Sequence, residues 1–192
     1  RAPEKLSTRP WAQHPNLDIV KGDVLDRASL QKALCQCRAA YYLVHSMNPD
    51  VSDFAATDRQ AAQNMAEAAA AEHLEQIIYL GGLGDEEGQL SHHLQSRTEV
   101  GTILRQGSVP VTTLRAAMII GSGSASFEII RDLVEKLPFM ITPRWLKTKC
   151  QPIAIRNVIQ FLIGVIGKTE TYNKSYDIGG PDILTYKEML LG

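Results

Sequence analysis

The chain has little of several features that would place it in a class at once. Three of its 192 residues are cysteines, aromatic residues amount to 6%, and the net charge is −1. A net charge near zero creates no overall field that would attract nucleic acid. No run of about 20 apolar residues is present that could cross a bilayer. We therefore expect neither a nucleic-acid partner nor a membrane, while a hydrophobic content of 44% is enough for a proper core.

The few cysteines also exclude a disulfide framework. Cys35, Cys37 and Cys150 cannot all pair with one another. Cys35 and Cys37 have the spacing of half a metal site, but no second cluster completes the four ligands of a structural zinc. Because reduced thiols are the rule in the cytoplasm, the sequence predicts a cytoplasmic protein without a metal ion.

Short apolar segments alternate along the chain with longer segments of helical periodicity. Strands that alternate with helices indicate βαβ units and a mostly parallel sheet. The strands are predicted at Leu17–Lys21, Ala40–Val44, Gln76–Leu80, Val111–Arg115, Cys150–Ala154 and Ser175–Ile178. The helices are predicted at Ser29–Cys35, Phe54–Glu72, Ser91–Gln106, Ser126–Leu137, Asn157–Ile166 and Tyr186–Leu191.

A second absence concerns the beginning of this sheet. The strand Leu17–Lys21, followed by Gly22-Asp23-Val24-Leu25-Asp26 and a helix, has the pattern of the third strand of a nucleotide-binding α/β sheet, yet no earlier strand or glycine-rich turn precedes it. In the strand order 3-2-1-4-5-6, two strands lie between it and Ala40–Val44. At about 4.8 Å per strand, their absence leaves a gap of roughly 14 Å. We therefore expect that these residues belong to a longer chain, or that the strand near residue 19 is displaced or pairs with another molecule.

Ligands of open parallel sheets bind at the carboxyl ends of the strands, where this sequence places small and polar residues. Asp23 can accept a hydrogen bond from an adenine amino group, or it can cap the following helix, as Asp26 also can. Gly81 and Gly82 either let a ligand approach the backbone closely or form a tight turn with positive φ. Together, on successive strand ends, these residues favour a cofactor crevice.

Two pairs that contain a histidine are candidates for chemistry. His45 and Ser46 are adjacent at a strand end, where their side chains diverge and no acid orients them, so a nucleophilic pair is not expected. His93 and Arg97 are four residues apart on one helical face. They form either an exposed helix start or an acid or anion site facing the crevice, because a neutral imidazole can pass a proton near pH 7.

Six segments follow one another in a recognisable order. They are Gly22–Asp26, Ala40–Ser46, Asp58–Asn64, Ile77–Gly84, Val111–Ala116 and Tyr176–Tyr186. In this order they resemble the atypical or extended short-chain dehydrogenases/reductases of the NmrA-like, NAD(P)H-binding kind. Within that superfamily the chain is most similar, over essentially its whole length, to bacterial nucleoside-diphosphate-sugar epimerase-like proteins.

The resemblance implies an α/β fold with a Rossmann-type, doubly wound parallel sheet that lacks its first βαβ unit. It assigns residues 1–120 to a partial NAD(P)-binding domain and residues 121–192 to a portion with a small substrate lobe and the last strands. The implied cofactor is NADP or NAD, and NADP is favoured because an arginine in the position of Arg1 holds the 2′-phosphate in relatives. Whether these 192 residues bind it without the glycine-rich turn stays open. The other implied cofactor contacts are Asp23 and Val24 at the adenine, Val44, His45 and Ser46 along the ribose and phosphates, and Gly81, Gly82, Ala116 and Ala117 near the nicotinamide.

The chain departs from the family's catalytic pattern. Active members carry Tyr-x-x-x-Lys on the helix after the fifth strand and a Ser at the end of that strand. Here the corresponding residues are His93, Arg97 and the pair Gly81-Gly82. The resemblance then implies His93 as the proton donor, with a pKa far below that of a phenol. Arg97 takes the place of the residue that holds the ribose, because a guanidinium keeps its charge.

Two functions follow, and a third is kept as a contrast. The first is an NAD(P)-dependent oxidoreductase or sugar-nucleotide epimerase-like enzyme with a degenerate Tyr/Lys/Ser site and an unknown small-molecule substrate. The second is a non-catalytic dinucleotide-binding regulator or assembly protein. An unrelated α/β binding domain would bind no dinucleotide. A homodimer is compatible with the first two functions.

Overall fold

The computed structural model describes residues 3–45, 54–83, 92–121, 128 and 144–191. Its strands are β1 (Ala39–Tyr42), β2 (Gln76–Gly82), β3 (Val111–Ala116), β4 (Met118–Ile120), β5 (Lys149–Cys150), β6 (Pro152–Ala154), β7 (Ser175–Ile178) and β8 (Leu184–Thr185). Its α-helices are α1 (Glu4–Ser7), α2 (Arg27–Leu34), α3 (Phe54–Ala71), α4 (His92–Gln106), α5 (Ile155–Val165) and α6 (Tyr186–Leu191). Short 3₁₀ turns occupy Pro10–Gln13, Arg144–Lys147 and Thr169–Thr171.

The main sheet has four parallel strands in the order β1-β2-β3-β7. The register places Tyr42 beside Tyr79, Gly82 beside Ala116, and Ala116 beside Ile178. Two small sheets stand apart from it, a parallel pair of β4 with β6 and an antiparallel pair of β5 with β8. The predicted α/β fold with a parallel sheet is confirmed.

Helices cover both faces of this sheet, as a doubly wound fold requires. Ile77 and Tyr79 of β2 pack with α3 and α4 in one core cluster. Leu114 of β3 packs on the opposite face of the sheet, in one core cluster with Val158 of α5. Side chains of successive strand residues point to opposite faces, and both sets are buried here. The sheet is therefore held in place between two layers, which fixes the position of its carboxyl edge.

A buried amide ties the sheet to α5. Gln76, at the start of β2, is fully buried. Its Nε2 donates to Thr112 Oγ1 at 2.8 Å and to the carbonyl of Val165 at 3.0 Å, and its Oε1 accepts from the backbone N–H of Gly167 at 2.8 Å. Because both ends of the amide are satisfied, the polar group is tolerated inside the core.

The predicted strand Leu17–Lys21 is wrong. These residues form no ladder, and Leu17 and Val20 are 40% and 56% exposed. A β-strand is stabilised by pairing, and among the described residues β1 pairs with β2 alone. The segment therefore does not reach the sheet.

Two other predictions differ from the structure or fall outside it. The predicted strand Cys150–Ala154 is divided at Gln151 into β5 and β6, which belong to different small sheets. The predicted helix Ser126–Leu137 lies outside the described residues apart from Glu128. The division of the chain at residue 120 stays a prediction, and β7 from the second portion joins the main sheet. In the described ranges, no helix is long and apolar enough to span a membrane.

Candidate functional site

The carboxyl ends of β2 and β3 form the centre of the candidate site. Gly82 lies beside Ala116, Gly81 lies beside Arg115, and the N–H of Leu83 donates to the carbonyl of Ala116 at 2.9 Å. Neither Gly81 nor Gly82 has a positive φ, so the tight turn considered from the sequence is not present. Ala117 follows at the same edge and is exposed. The fold thus gathers four of the predicted nicotinamide contacts at one edge of the sheet.

Helix α4 brings Arg97 over this edge. A Cβ built at Gly82 would lie 2.8 Å from Leu94 Cδ2 and 3.4 Å from Arg97 Cδ. The missing side chain at Gly82 therefore makes room for the side chain of Leu94, and the stem of Arg97 lies beside it at van der Waals distance. The Nε atom of Arg97 is buried and has no hydrogen-bond partner among the described residues. A buried donor without an acceptor is costly, so this atom suits an oxygen supplied by a ligand.

Tyr79 supports Arg97 from below. Its hydroxyl donates to the carbonyl of Arg97 at 2.9 Å, and burial raises the pKa of Tyr79. The ring lies against two glycines, because a Cβ at Gly81 or Gly101 would come within 3.2 or 3.3 Å of its Cε1 atom. Since its hydroxyl is engaged with the backbone, Tyr79 positions α4 and is not a proton donor for a substrate.

A cavity of about 250 Å³ lies between α4 and the sheet and joins these residues. Gly81, Gly82 and Arg97 line its upper part, and Arg105 and Thr113 line it further along α4 and β3. Sequence reasoning singled out the first three and missed the other two. The only sequence signal for the missed pair is Gly101 in mid-helix, where glycine is unfavourable without a packing reason.

The loop before α2 forms a second candidate region. Asp26 caps this helix, because its carboxylate accepts from the N–H groups of Ala28 and Ser29 at 3.0 and 3.2 Å. Asp23 Oδ1 accepts from the N–H of Leu25 at 3.0 Å, and the N–H of Asp23 donates to Ser29 Oγ at 2.9 Å. Asp23 also lines a cavity of about 330 Å³. Asp26 therefore takes the capping role, and Asp23 keeps a position from which it can contact a ligand.

The remaining predicted residues are placed less centrally. Val24 packs partly buried against the core, and its carbonyl accepts from Asn64 Nδ2 at 2.9 Å. Val44 and His45 follow β1 and are exposed. Arg1 and Ser46 lie outside the described residues, as does the side chain of His93, whose backbone lies in the first turn of α4.

The cysteines show no sign of a metal centre. Cys35 and Cys37 are exposed, Cys150 is buried, and all three are free. Within the described ranges, no group of three or more His, Cys, Asp or Glu residues is placed to hold a metal ion.

The parallel sheet, the helices on both faces and the small residues at its carboxyl edge define a Rossmann-type dinucleotide-binding fold. The model of a family described as NAD(P)H-binding matches residues 1–135. The chain belongs to this family, which confirms the resemblance to atypical short-chain dehydrogenases/reductases. No curated protein matches the sequence.

Solved structures with the same fold are numerous. The enzyme WbmG of Bordetella bronchiseptica, in complex with NAD and UDP, has a TM-score of 0.74 and 16% identity, covering 93% of this chain and 62% of that one. A dTDP-glucose 4,6-dehydratase from Streptomyces venezuelae, with NAD bound, has a TM-score of 0.77 and 15% identity, with coverages of 97% and 65%. A nucleoside-diphosphate-sugar epimerase from Staphylococcus aureus has a TM-score of 0.75 and 16% identity, with coverages of 96% and 62%. The chain thus spans 62–65% of the length of these structures.

Proposed function

We propose that the chain is an NAD(P)-dependent oxidoreductase of the sugar-nucleotide epimerase-like kind, with Arg97 holding the nicotinamide ribose. The observation that carries this proposal is the buried, unpartnered Nε of Arg97 beside Gly82. Ribose hydroxyl oxygens are acceptors that a guanidinium can bind through several N–H groups at once. The residues present at the strand end therefore fit a dinucleotide.

The other cofactor contacts follow the strand ends. Asp23 is proposed to receive the adenine amino group, because it lines the cavity beside α2. An arginine at position 1 favours NADP over NAD, since a guanidinium pairs well with a 2′-phosphate. The full set proposed to contact the cofactor is Arg1, Asp23, Val24, Val44, His45, Ser46, Gly81, Gly82, Arg97, Ala116 and Ala117.

The proposed chemistry is the reversible oxidation of a sugar alcohol carbon. A bound nicotinamide supplies the acceptor for the hydride that leaves this carbon. His93, one helical turn before Arg97, takes the proton of the sugar hydroxyl as the carbonyl forms and returns it in the reverse step. Arg97 and the strand-end glycines hold the reacting parts close together, which is a large part of such catalysis.

A second candidate is a non-catalytic dinucleotide-binding regulator or assembly protein. It is favoured by the strand end itself, where Gly81 and Gly82 offer no hydroxyl to orient a carbonyl. The nearby hydroxyl of Tyr79 is already donated to the backbone of Arg97. Both candidates predict dinucleotide binding, and turnover separates them.

The test mixes the protein with NAD⁺ or NADP⁺ and with UDP-glucose or dTDP-glucose, and follows the absorbance of the reduced nicotinamide. For the enzyme we expect His93→Ala to slow nicotinamide reduction by about 10²–10⁴-fold, with unchanged cofactor affinity. His92→Ala is the matched control, because His92 is the exposed neighbour in the same turn. Unchanged turnover in His93→Ala would rule out its role, and binding without turnover by the unmodified protein would favour the regulator.

A further inference from the structure

We infer that the groove between α4 and β3 binds a small oxyanion, a phosphate or a carboxylate, below the strand-end contacts of the dinucleotide. The groove is the lower part of the 250 Å³ cavity, and its defining residues are Arg97, Arg105, Thr113 and Ser175. This site does not depend on the proposed enzymatic activity.

The groove carries an excess of positive charge. Arg97, Arg105 and Arg115 line the cavity, and no carboxylate residue does so among the described residues. Arg115 is paired with Asp177 at 2.6 Å. Arg97 and Arg105 form no ion pair within the described part of the chain. Two guanidinium charges are therefore not balanced by a neighbouring carboxylate there.

Arg105 is solvent-exposed and makes one hydrogen bond to the sheet. Its Nη1 donates to Ser175 Oγ at 2.9 Å, which holds the guanidinium at the mouth of the groove. This hydrogen bond uses one of the five N–H groups of the side chain. The others remain suited to a planar or tetrahedral oxyanion, the ligand type that a guanidinium recognises best.

A buried hydroxyl points to a ligand in this groove. Thr113 is 4% exposed, and its Oγ1 has no hydrogen-bond partner among the described residues. Buried polar groups are nearly always hydrogen-bonded. An oxygen of a ligand in the groove accepts from this hydroxyl. Arg105 at the mouth of the groove adds the positive charge that favours an anion over a neutral ligand there.

The size and position of the groove separate it from the dinucleotide. The groove is only the lower part of a cavity of about 250 Å³, which is below the roughly 300–1,000 Å³ of pockets that enclose a drug-sized ligand, so the groove has the size for a small anion. Thr113 lies beside Tyr79 and Ser175 in the register, three residues before Ala116. At about 3.3 Å per residue, this is roughly 10 Å below the strand end.

The test measures binding of inorganic phosphate and of acetate to the 192-residue protein by calorimetry. We expect Arg105→Gln and Thr113→Val each to weaken binding of the preferred anion about tenfold or more, because each removes a donor to a charged group. Arg38→Gln is the control, since Arg38 is an exposed arginine paired with Glu75 outside this cavity. The stronger of the two probes identifies the ligand as a phosphate or a carboxylate.

Two outcomes would overturn the inference. The first is the absence of binding to the unmodified protein, and the second is an equal loss in all three variants, which would indicate a general charge effect. Thr113→Val keeps the shape of the side chain and removes an unpartnered hydroxyl. The melting temperature of this variant protein, measured without anion, should therefore not fall. A fall would mean that the hydroxyl has a partner in the folded protein and would also contradict the inference. Dinucleotide binding should be unchanged in Arg105→Gln and Thr113→Val.

Discussion

Gly82 and Arg97 define the site as a pair. A Cβ on residue 82 would lie 2.8 Å from Leu94 Cδ2 and 3.4 Å from Arg97 Cδ, so the glycine lets Leu94 pack over the strand end beside Arg97. The resemblance to the short-chain dehydrogenases/reductases places Gly81-Gly82 at the family's serine and Arg97 at its lysine, and this correspondence stays a prediction.

Two aspartates near α2 have different roles: Asp26 caps the helix, and Asp23 is proposed to bind the cofactor. We expect Asp26→Ala to lower the free energy of unfolding by about 1 kcal/mol, because it removes the N-cap of α2. Asp23→Ala should instead lower the affinity for NADH or NADPH while leaving α2 capped. The measurements are urea unfolding and cofactor titration of both variants. Equal loss of affinity in the two variants would contradict the assignment of Asp23.

At the scale of elements, the sequence predicts the bounds of those helices and strands that local periodicity determines. Helix α6 and strand β7 have the predicted bounds, and α3 ends within one residue of its predicted end. Strand β2 runs two residues further than expected, because Gly81 and Gly82 continue the ladder with β3. Leu17–Lys21 has the composition of a strand, but none of the described strands provides the pairing that it needs.

The parts of the site that could not be predicted depend on tertiary packing. Thr113 takes its place in the ordinary alternation of a strand, so the sequence does not single it out. Its hydroxyl is buried without a partner among the described residues only because α4 covers it. The amide of Gln76 is likewise satisfied by groups about 90 residues away in the sequence. His93 as proton donor stays a prediction, because its side chain lies outside the described residues.

Two glycines should respond in opposite ways to alanine. A Cβ at Gly180 would clash with the carbonyl oxygen of Pro152, which already accepts a hydrogen bond from the N–H of Gly180. We expect Gly180→Ala to lower the free energy of unfolding by about 1–3 kcal/mol. Gly164, in α5, has no atom of the described residues within 4 Å of such a Cβ, so Gly164→Ala should raise the free energy of unfolding by up to about 1 kcal/mol. Urea unfolding measures both, and destabilisation by Gly164→Ala would show that the helix is constrained there.

For the whole molecule, the edge at β1 is the notable feature. Tyr41, Leu43 and Val44 at this edge are 40–51% exposed, and β1 is the outermost strand of the described sheet. These residues belong to the region where the cofactor's ribose and phosphates are proposed to bind.

The central claim is that the carboxyl edge of the sheet binds the dinucleotide, with Arg97 at the centre of the site. The direct measurement is a nuclear magnetic resonance titration with NADH and NADPH that follows the Nε–H of Arg97 and the amides of Gly82 and Ala116, which also detects weak binding. We predict that all three signals shift together to saturation, and that Arg97→Gln lowers the affinity about tenfold or more. Dinucleotide binding that leaves these three signals unmoved, or no binding at all, would contradict the account.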